Sequence, residues 1–181
     1  MPNEETSTER TSLLLRRPHL EDIPERGLPA GYTVRLAGAA DEEAIAETLR
    51  ESFAEPWDVD LVRQRLTRAD DVVATYVVDY GGRVVATASS RWVPERFPGA
   101  GYVHWVGTHP AHARKGLAAA LLVELLRHFR DVGRAEAVLE TDDHRHPAIR
   151  SYLRLGYTPV YEVDGEDHRR RWSAIFQGLF G

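Results

Sequence analysis

The chain has 181 residues, 43% of them apolar and 28% charged, which suits one globular domain with a core of its own. A net charge of −5 argues against a nucleic-acid binder, and the absence of cysteine excludes disulfides, thiolate metal sites and a cysteine nucleophile. No apolar run approaches the roughly 18–20 residues that span a bilayer, and Leu13-Leu14-Leu15 is too short for a signal-peptide core, so the expected location is the cytoplasm, away from membranes.

Residues 1–12 are polar and read as a disordered tail. Residues 13–31 are punctuated by Pro18, Pro24, Pro29, Gly27 and Gly31 and read as an extended, non-helical arm. That division gives an arm over 1–30 and a domain over 31–181. Tyr32–Leu36 alternates as a strand. Asp41 is placed to cap a helix whose stripe is Ile45, Leu49 and Phe53, and a short helix follows over Asp58–Leu66. Val72–Asp79 and Arg83–Trp92 read as strands joined at Tyr80-Gly81-Gly82. Tyr102–Thr108 is a further strand, with a bulge expected at Gly107. Ala118, Leu122, Leu125, Phe129 and Val132 form the buried stripe of a long helix ending at Gly133. Ala135–Thr141 reads as a strand, and Pro147 opens a helix in its first turn. The segments 157–163 and 169–175 read as a closing hairpin around Asp164-Gly165, which offers an edge for homodimerisation.

The most telling stretch is Val106-Gly-Thr-His-Pro-Ala-His-Ala-Arg-Lys-Gly-Leu-Ala118. A strand, a proline turn and a basic, glycine-containing helix entry build an anion site, because the first N–H groups of a helix lack partners and the helix dipole favours negative charge. Arg114 and Lys115 add full positive charge, while Gly116 and Ala118 leave room for a phosphate near the backbone. Neither G-x-x-x-x-G-K-[ST] nor G-x-G-x-x-G is present, so nucleoside-triphosphate and Rossmann sites are disfavoured.

This stretch resembles the acetyl-CoA loop of the GNAT N-acetyltransferase family, Q/R-x-x-G-x-G/A after a strand and turn, with Gly116 and Ala118 at the small positions and Ala113 at the position of the first Gln or Arg. A second stretch, Arg145-His-Pro-Ala-Ile-Arg-Ser-Tyr-Leu-Arg-Leu-Gly-Tyr157, resembles the family's N-x-x-A-x-x-L-Y-x-x-L-G-F segment. Ala148, Tyr152, Leu155, Gly156 and Tyr157 fall at the family's spacing; Arg145 stands for the asparagine and Ser151 for the leucine. The resemblance implies an α/β fold with a mixed, mostly antiparallel sheet flanked by helices and a splayed strand pair. It further implies acetyl-CoA as co-substrate. Pantetheine would pair with the strand edge at Val106, Gly107 and Thr108, and pyrophosphate would sit on Arg114, Lys115, Gly116, Leu117, Ala118 and Ala119, with Arg145 counted among the cofactor-binding residues.

Acetyl transfer to an amine needs a neutral amine, a polarised thioester and a proton for the departing thiolate. The resemblance makes Tyr152 the acid, and a phenol of pKa near ~10 matches a thiol of similar acidity. A half-buried aromatic with a satisfied hydroxyl is the other role for Tyr152. For the base, Glu140 near a strand end comes first and His104, flanked by Trp105, second. Asp142-Asp143-His144-Arg145-His146 has metal-ligand composition, but reads as a polar strand-to-helix loop, and no metal is assigned. The run His168-Arg-Arg-Arg-Trp172, placed on a strand, would alternate faces and make no nucleic-acid patch. The expected activity is transfer from acetyl-CoA to a small-molecule or peptide amine by direct attack in a ternary complex. The competing expectations are a GNAT-fold protein that binds CoA species without catalysis, and a metal-dependent hydrolase on the aspartate–histidine loop. The acceptor surface, 53–57, 92–102 and 161–168, is aromatic and acidic, which points to a cationic amine.

Overall fold

The computed structural model describes residues 11–181. Its centre is a seven-stranded sheet of order β2-β3-β4-β5-β6-β1-β7. β2 (Tyr32–Leu36), β3 (Val72–Tyr80), β4 (Arg83–Arg91) and β5 (Ala100–Thr108) form an antiparallel half. Gly81 and Gly82, at φ 61° and 82°, give the two-residue hairpin its left-handed turn. β6 (Glu136–Thr141) runs parallel to β5, while β1 (Leu13–Arg17) lies antiparallel between β6 and β7 (Thr158–Pro159). A parallel neighbour requires a crossover, and helix α3 (Leu117–Asp131) supplies it.

Both faces of the sheet are buried. Leu13, Leu15, Ala137 and Leu139 point into a core with α3, α4 (His146–Arg154) and α5 (Arg169–Phe180). On the other face, Leu14 and Val138 pack with Phe97, Ala100, Tyr102 and Val163. Farther along that face, Ile45 and Leu49 of α1 (Glu42–Phe53), with Trp57, Val62 of α2 (Val59–Val62) and Leu66, cover Val77 and Val84. Phe129 reaches the sheet because Gly101 lies beneath it; a Cβ there would overlap the phenyl ring. Burying such a side chain stabilises by about 1.5–3 kcal/mol.

Several local expectations are corrected. Leu13–Arg17, read as part of an arm, is an interior strand; Leu13, Leu14 and Leu15 are buried on both faces, so no alternation marks them. Residues 169–175, read as a strand, lie in α5, where Trp172, Ile175 and Leu179 make the buried stripe. The hairpin around Asp164-Gly165 survives as two-residue strands, β8 (Glu162–Val163) and β9 (Glu166–Asp167). At the start of α1 the Asp41 carboxylate accepts from the Gly38 N–H at 2.7 Å and pairs with Arg35, instead of capping the helix. Val132, expected in the buried stripe, lies past the end of α3 and is exposed.

Candidate active site

The parallel pairing of β5 and β6 runs from Ala100–Glu136 to Val103–Leu139 and stops. The cause lies in β5. Opposite β4, Ser89 faces His104 and Thr87 faces Gly107, so Trp105 and Val106 together oppose Ala88. Trp105 takes the left-handed conformation, φ 47°, that this bulge requires. Beyond it β5 stays with β4 and leaves β6, opening its edge. The expected bulge at Gly107 is therefore displaced to Trp105. Gly107 serves a different need: a Cβ would come within 3.1 Å of Leu49 and Ser52 and 3.2 Å of Phe53, so glycine lets α1 rest on the strand.

The splay holds a cavity of about 330 Å³. His104, Trp105 and Val106 line it from β5, Glu140 from β6, and Arg145, Ala148 and Tyr152 from the start of α4 and the helix itself. Tyr152 belongs to the core on the α3 face. Glu140 is two residues from Val138, and His104 two from Tyr102, which places both on the opposite face. The parted strands thus let groups from both sides of the sheet meet in one space. Burial raises the Tyr152 pKa to about 12, against a smaller opposing effect of Arg145, so its phenol stays protonated. Burial, helped by Arg91, lowers the His104 pKa to about 4, so its imidazole is neutral at pH 7. Glu140 is engaged: its Oε2 accepts from Tyr102 at 2.7 Å and its Oε1 pairs with Arg96 at 2.8 Å. Arg145 pairs with Asp142 at 2.8 Å and lies 4.7 Å above the Phe53 ring, spanning from α4 to the end of α1.

Arg114, Lys115, Gly116, Leu117, Ala118 and Ala119 lie outside the cavity lining, as do Gly107 and Thr108. They build a separate feature. A turn over Pro110–His112, then Arg114 at φ 61° and Gly116 at φ 78°, turns the backbone into α3. Among the described residues none of the N–H groups from Arg114 to Ala119 has a backbone or side-chain acceptor. Arg114, Lys115 and Gly116 are exposed, and nothing stands within 4 Å of a Cβ on Gly116. Such a concavity of free N–H groups beside two cations fits a pyrophosphate. The Tyr32 hydroxyl, 2.9 Å from His112 Nδ1, braces the loop from β2.

Arg96, Tyr102 and Phe53, which fall in the segments expected to form the acceptor surface but had no role of their own assigned, also shape the site. Tyr102 was findable: it precedes His104 by two positions and so shares its face. Arg96 lies in a loop without periodicity and carries no such signal. The Asp142–His146 loop is held by ion pairs, Asp142 with Arg145 and Asp143 with Arg171. Among the described residues no group of three or more histidines and carboxylates is gathered as a metal would need. The basic run at 169–171 opens α5, where Arg169 pairs with Asp167 and Arg171 with Asp143. Among the described residues no helix is long and apolar enough to cross a membrane.

The family model described as Acetyltransferase (GNAT) family matches residues 42–157. A mycothiol acetyltransferase of Parafrankia sp. is 31% identical over 178 residues, covering 82% of this chain and 55% of that protein. The chain therefore spans about half the length of the curated relatives it matches. Among solved structures, a GCN5-related N-acetyltransferase from Kribbella flavida is 27% identical with a TM-score of 0.58, covering 82% of this chain and 54% of that one. A GNAT family N-acetyltransferase from Escherichia coli, in complex with CoA, shares the fold at a TM-score of 0.57 and 22% identity, covering 74% and 71%.

Proposed function

The chain belongs to the GNAT acetyltransferase family, and we propose that it transfers an acetyl group from acetyl-CoA to an amine by direct attack in a ternary complex. One observation carries this reading: the parting of β5 and β6 after Val103–Leu139 brings an un-ionised phenol and a neutral imidazole to one cavity beside an open strand edge. The amides of pantetheine would take the place of the missing strand along Val106 to Thr108. The pyrophosphate would rest on the free N–H groups of Arg114 to Ala119, a placement supported by the open space at Gly116. The bound E. coli neighbour lends the ligand class.

In the reaction the amine nitrogen attacks the thioester carbon, a C–N bond forms, and the C–S bond breaks as the adduct collapses. Tyr152 gives its proton to the departing sulfur: burial keeps that proton on the phenol at neutral pH, while at about 12 it is a weaker acid than a free phenol, so the transfer accompanies C–S cleavage. The proton on the adduct nitrogen needs an acceptor. Glu140 has both carboxylate oxygens engaged, Oε2 by the Tyr102 hydroxyl and Oε1 by Arg96, which leaves it a structural tie across the splay. His104 is neutral and is the acceptor we assign. Its low basicity is tolerable because the adduct nitrogen is more acidic than a free ammonium.

The test is thiol release from acetyl-CoA, followed with a disulfide dye across a panel of amines. The chain has no cysteine, so it adds no background thiol. Amine-dependent release supports the transferase. A thermal shift with acetyl-CoA but no release with any amine would replace it with a CoA-binding protein.

A further inference from the structure

Three carboxylates stand on the walls of the cavity: Glu55, Glu140 and Asp142. Two are already compensated. Glu140 pairs with Arg96, and Asp142 pairs with Arg145, each at 2.8 Å. Glu55 has no ion pair and no side-chain hydrogen bond among the described residues. The nearby Arg65 is stacked over Trp57 and Trp105, 5.5 Å and 6.0 Å from their ring centroids, and does not line the cavity. With His104 and Tyr152 both neutral at pH 7, the cavity wall keeps one uncompensated negative charge.

The backbone at Glu55 is also held in place, while its side chain is exposed. Ala54 ends α1 in the left-handed conformation, φ 54°, its N–H bonded to the Arg50 carbonyl at 2.9 Å. Pro56 fixes the next φ. The Trp57 N–H donates to the Glu55 carbonyl at 2.8 Å, and Arg50 donates to the Trp57 carbonyl at 2.6 Å. Trp57 itself is fully buried. The carboxylate is therefore carried on an anchored turn, so binding through it requires ordering of its side chain but not of the loop.

The attacking nitrogen must shed its charge before it reacts, so a lasting ionic contact has to be made by a different group of the acceptor. Phe53 and Trp105 each already carry a guanidinium over one face, from Arg145 and Arg65, and of the three cavity carboxylates Glu55 is the one without an ion pair among the described residues. We propose that Glu55 determines acceptor specificity and that the acceptor is a small amine carrying a second cationic group, of the diamine class. This rests on the acetyl-transfer reading.

The experiment uses the full chain and matched probes: 1,4-diaminobutane against n-butylamine, and 1,5-diaminopentane against n-pentylamine, with kcat/KM taken from thiol release. Wild-type protein is expected to favour each diamine over its partner by about tenfold, the worth of one charge-assisted hydrogen bond. Glu55→Gln is expected to bring both ratios to about two, the statistical value for two equivalent nitrogens, and added salt to shrink them in the wild type only. A wild-type preference no larger than the statistical twofold overturns the proposal, as does a preference beyond twofold that survives Glu55→Gln. Absence of release from every amine, with acetyl-CoA still bound, instead overturns the transferase reading on which it stands.

Discussion

The Tyr102 hydroxyl donates to Glu140 Oε2 at 2.7 Å, across the junction where β5 and β6 make their final paired contact. Together with Arg96, which also reaches Asp164 at 2.8 Å, this bond joins the splay to the β8–β9 turn. Glu140 on this view holds the mouth of the cavity together, while the proton moves elsewhere. Glu140→Gln keeps an oxygen for Tyr102 but leaves Arg96 facing a neutral amide. The expected result is a lower Tm with kcat within about tenfold of wild type, whereas His104→Gln lowers kcat by about 10²–10⁴. Steady-state kinetics and thermal melts on the two variants decide between the bases.

Tyr152→Phe removes only a hydroxyl for which no hydrogen-bond partner exists among the described residues. Its fold and its thermal shift with acetyl-CoA should match wild type, while kcat falls by about 10²–10⁴ for want of an acid. Unchanged turnover would remove Tyr152 from the mechanism.

The pH dependence follows from burial. His104 loses its proton near pH 4 and Tyr152 near pH 12, so between these limbs the kcat/KM profile should show the acceptor's own ionisation alone. Amines of differing basicity should move the observed limb one for one. Stability carries a related sign. A folded pKa below the ordinary 6.5 of a histidine means that the unfolded chain binds the His104 proton more readily, so this contribution is present above pH 6.5 and lost as pH falls to about 4. Denaturant melts of His104→Gln should show a shallower loss of stability across that window.

Lys115→Glu or Arg114→Glu places a negative charge at the entry to α3, where the N–H groups are free. The expected outcome is a KM for acetyl-CoA raised about tenfold with kcat little changed, and a smaller difference at high salt. Initial rates at varied acetyl-CoA and ionic strength test it.

Gly101→Ala puts a methyl group into the Phe129 ring. Overpacking of this kind costs about 1–3 kcal/mol, read as a lower denaturation midpoint.

The two loop-and-helix motifs were legible because their residue types are tied to backbone tasks: Gly116 to a left-handed entry into α3, and Pro147 to the first turn of α4. The antiparallel half of the sheet was legible from alternation and from Gly81-Gly82. What escaped depended on partners distant in sequence. Leu13–Arg17 is a strand because β6 and β7 flank it, and residues buried on both faces show no period. The α5 stripe of Trp172, Ile175 and Leu179 has helical spacing, but the turn at Asp164-Gly165 invited a longer hairpin than the two-residue strands that formed. The bulge at Trp105 was invisible, since a left-handed tryptophan has no sequence signature and the neighbouring Gly107 offered a plausible but different site.

The position of β1 has a consequence for how the chain is made. Leu13, Leu14 and Leu15, the most apolar triplet of the strands, meet their partners Thr141, Glu140 and Leu139 only after α3 and β6 have been synthesised. Until then a sticky segment waits without its shelter, and closure of the sheet is a late, non-local event. A nascent chain arrested before β6 should therefore engage chaperones through this triplet, and release them once β6 emerges.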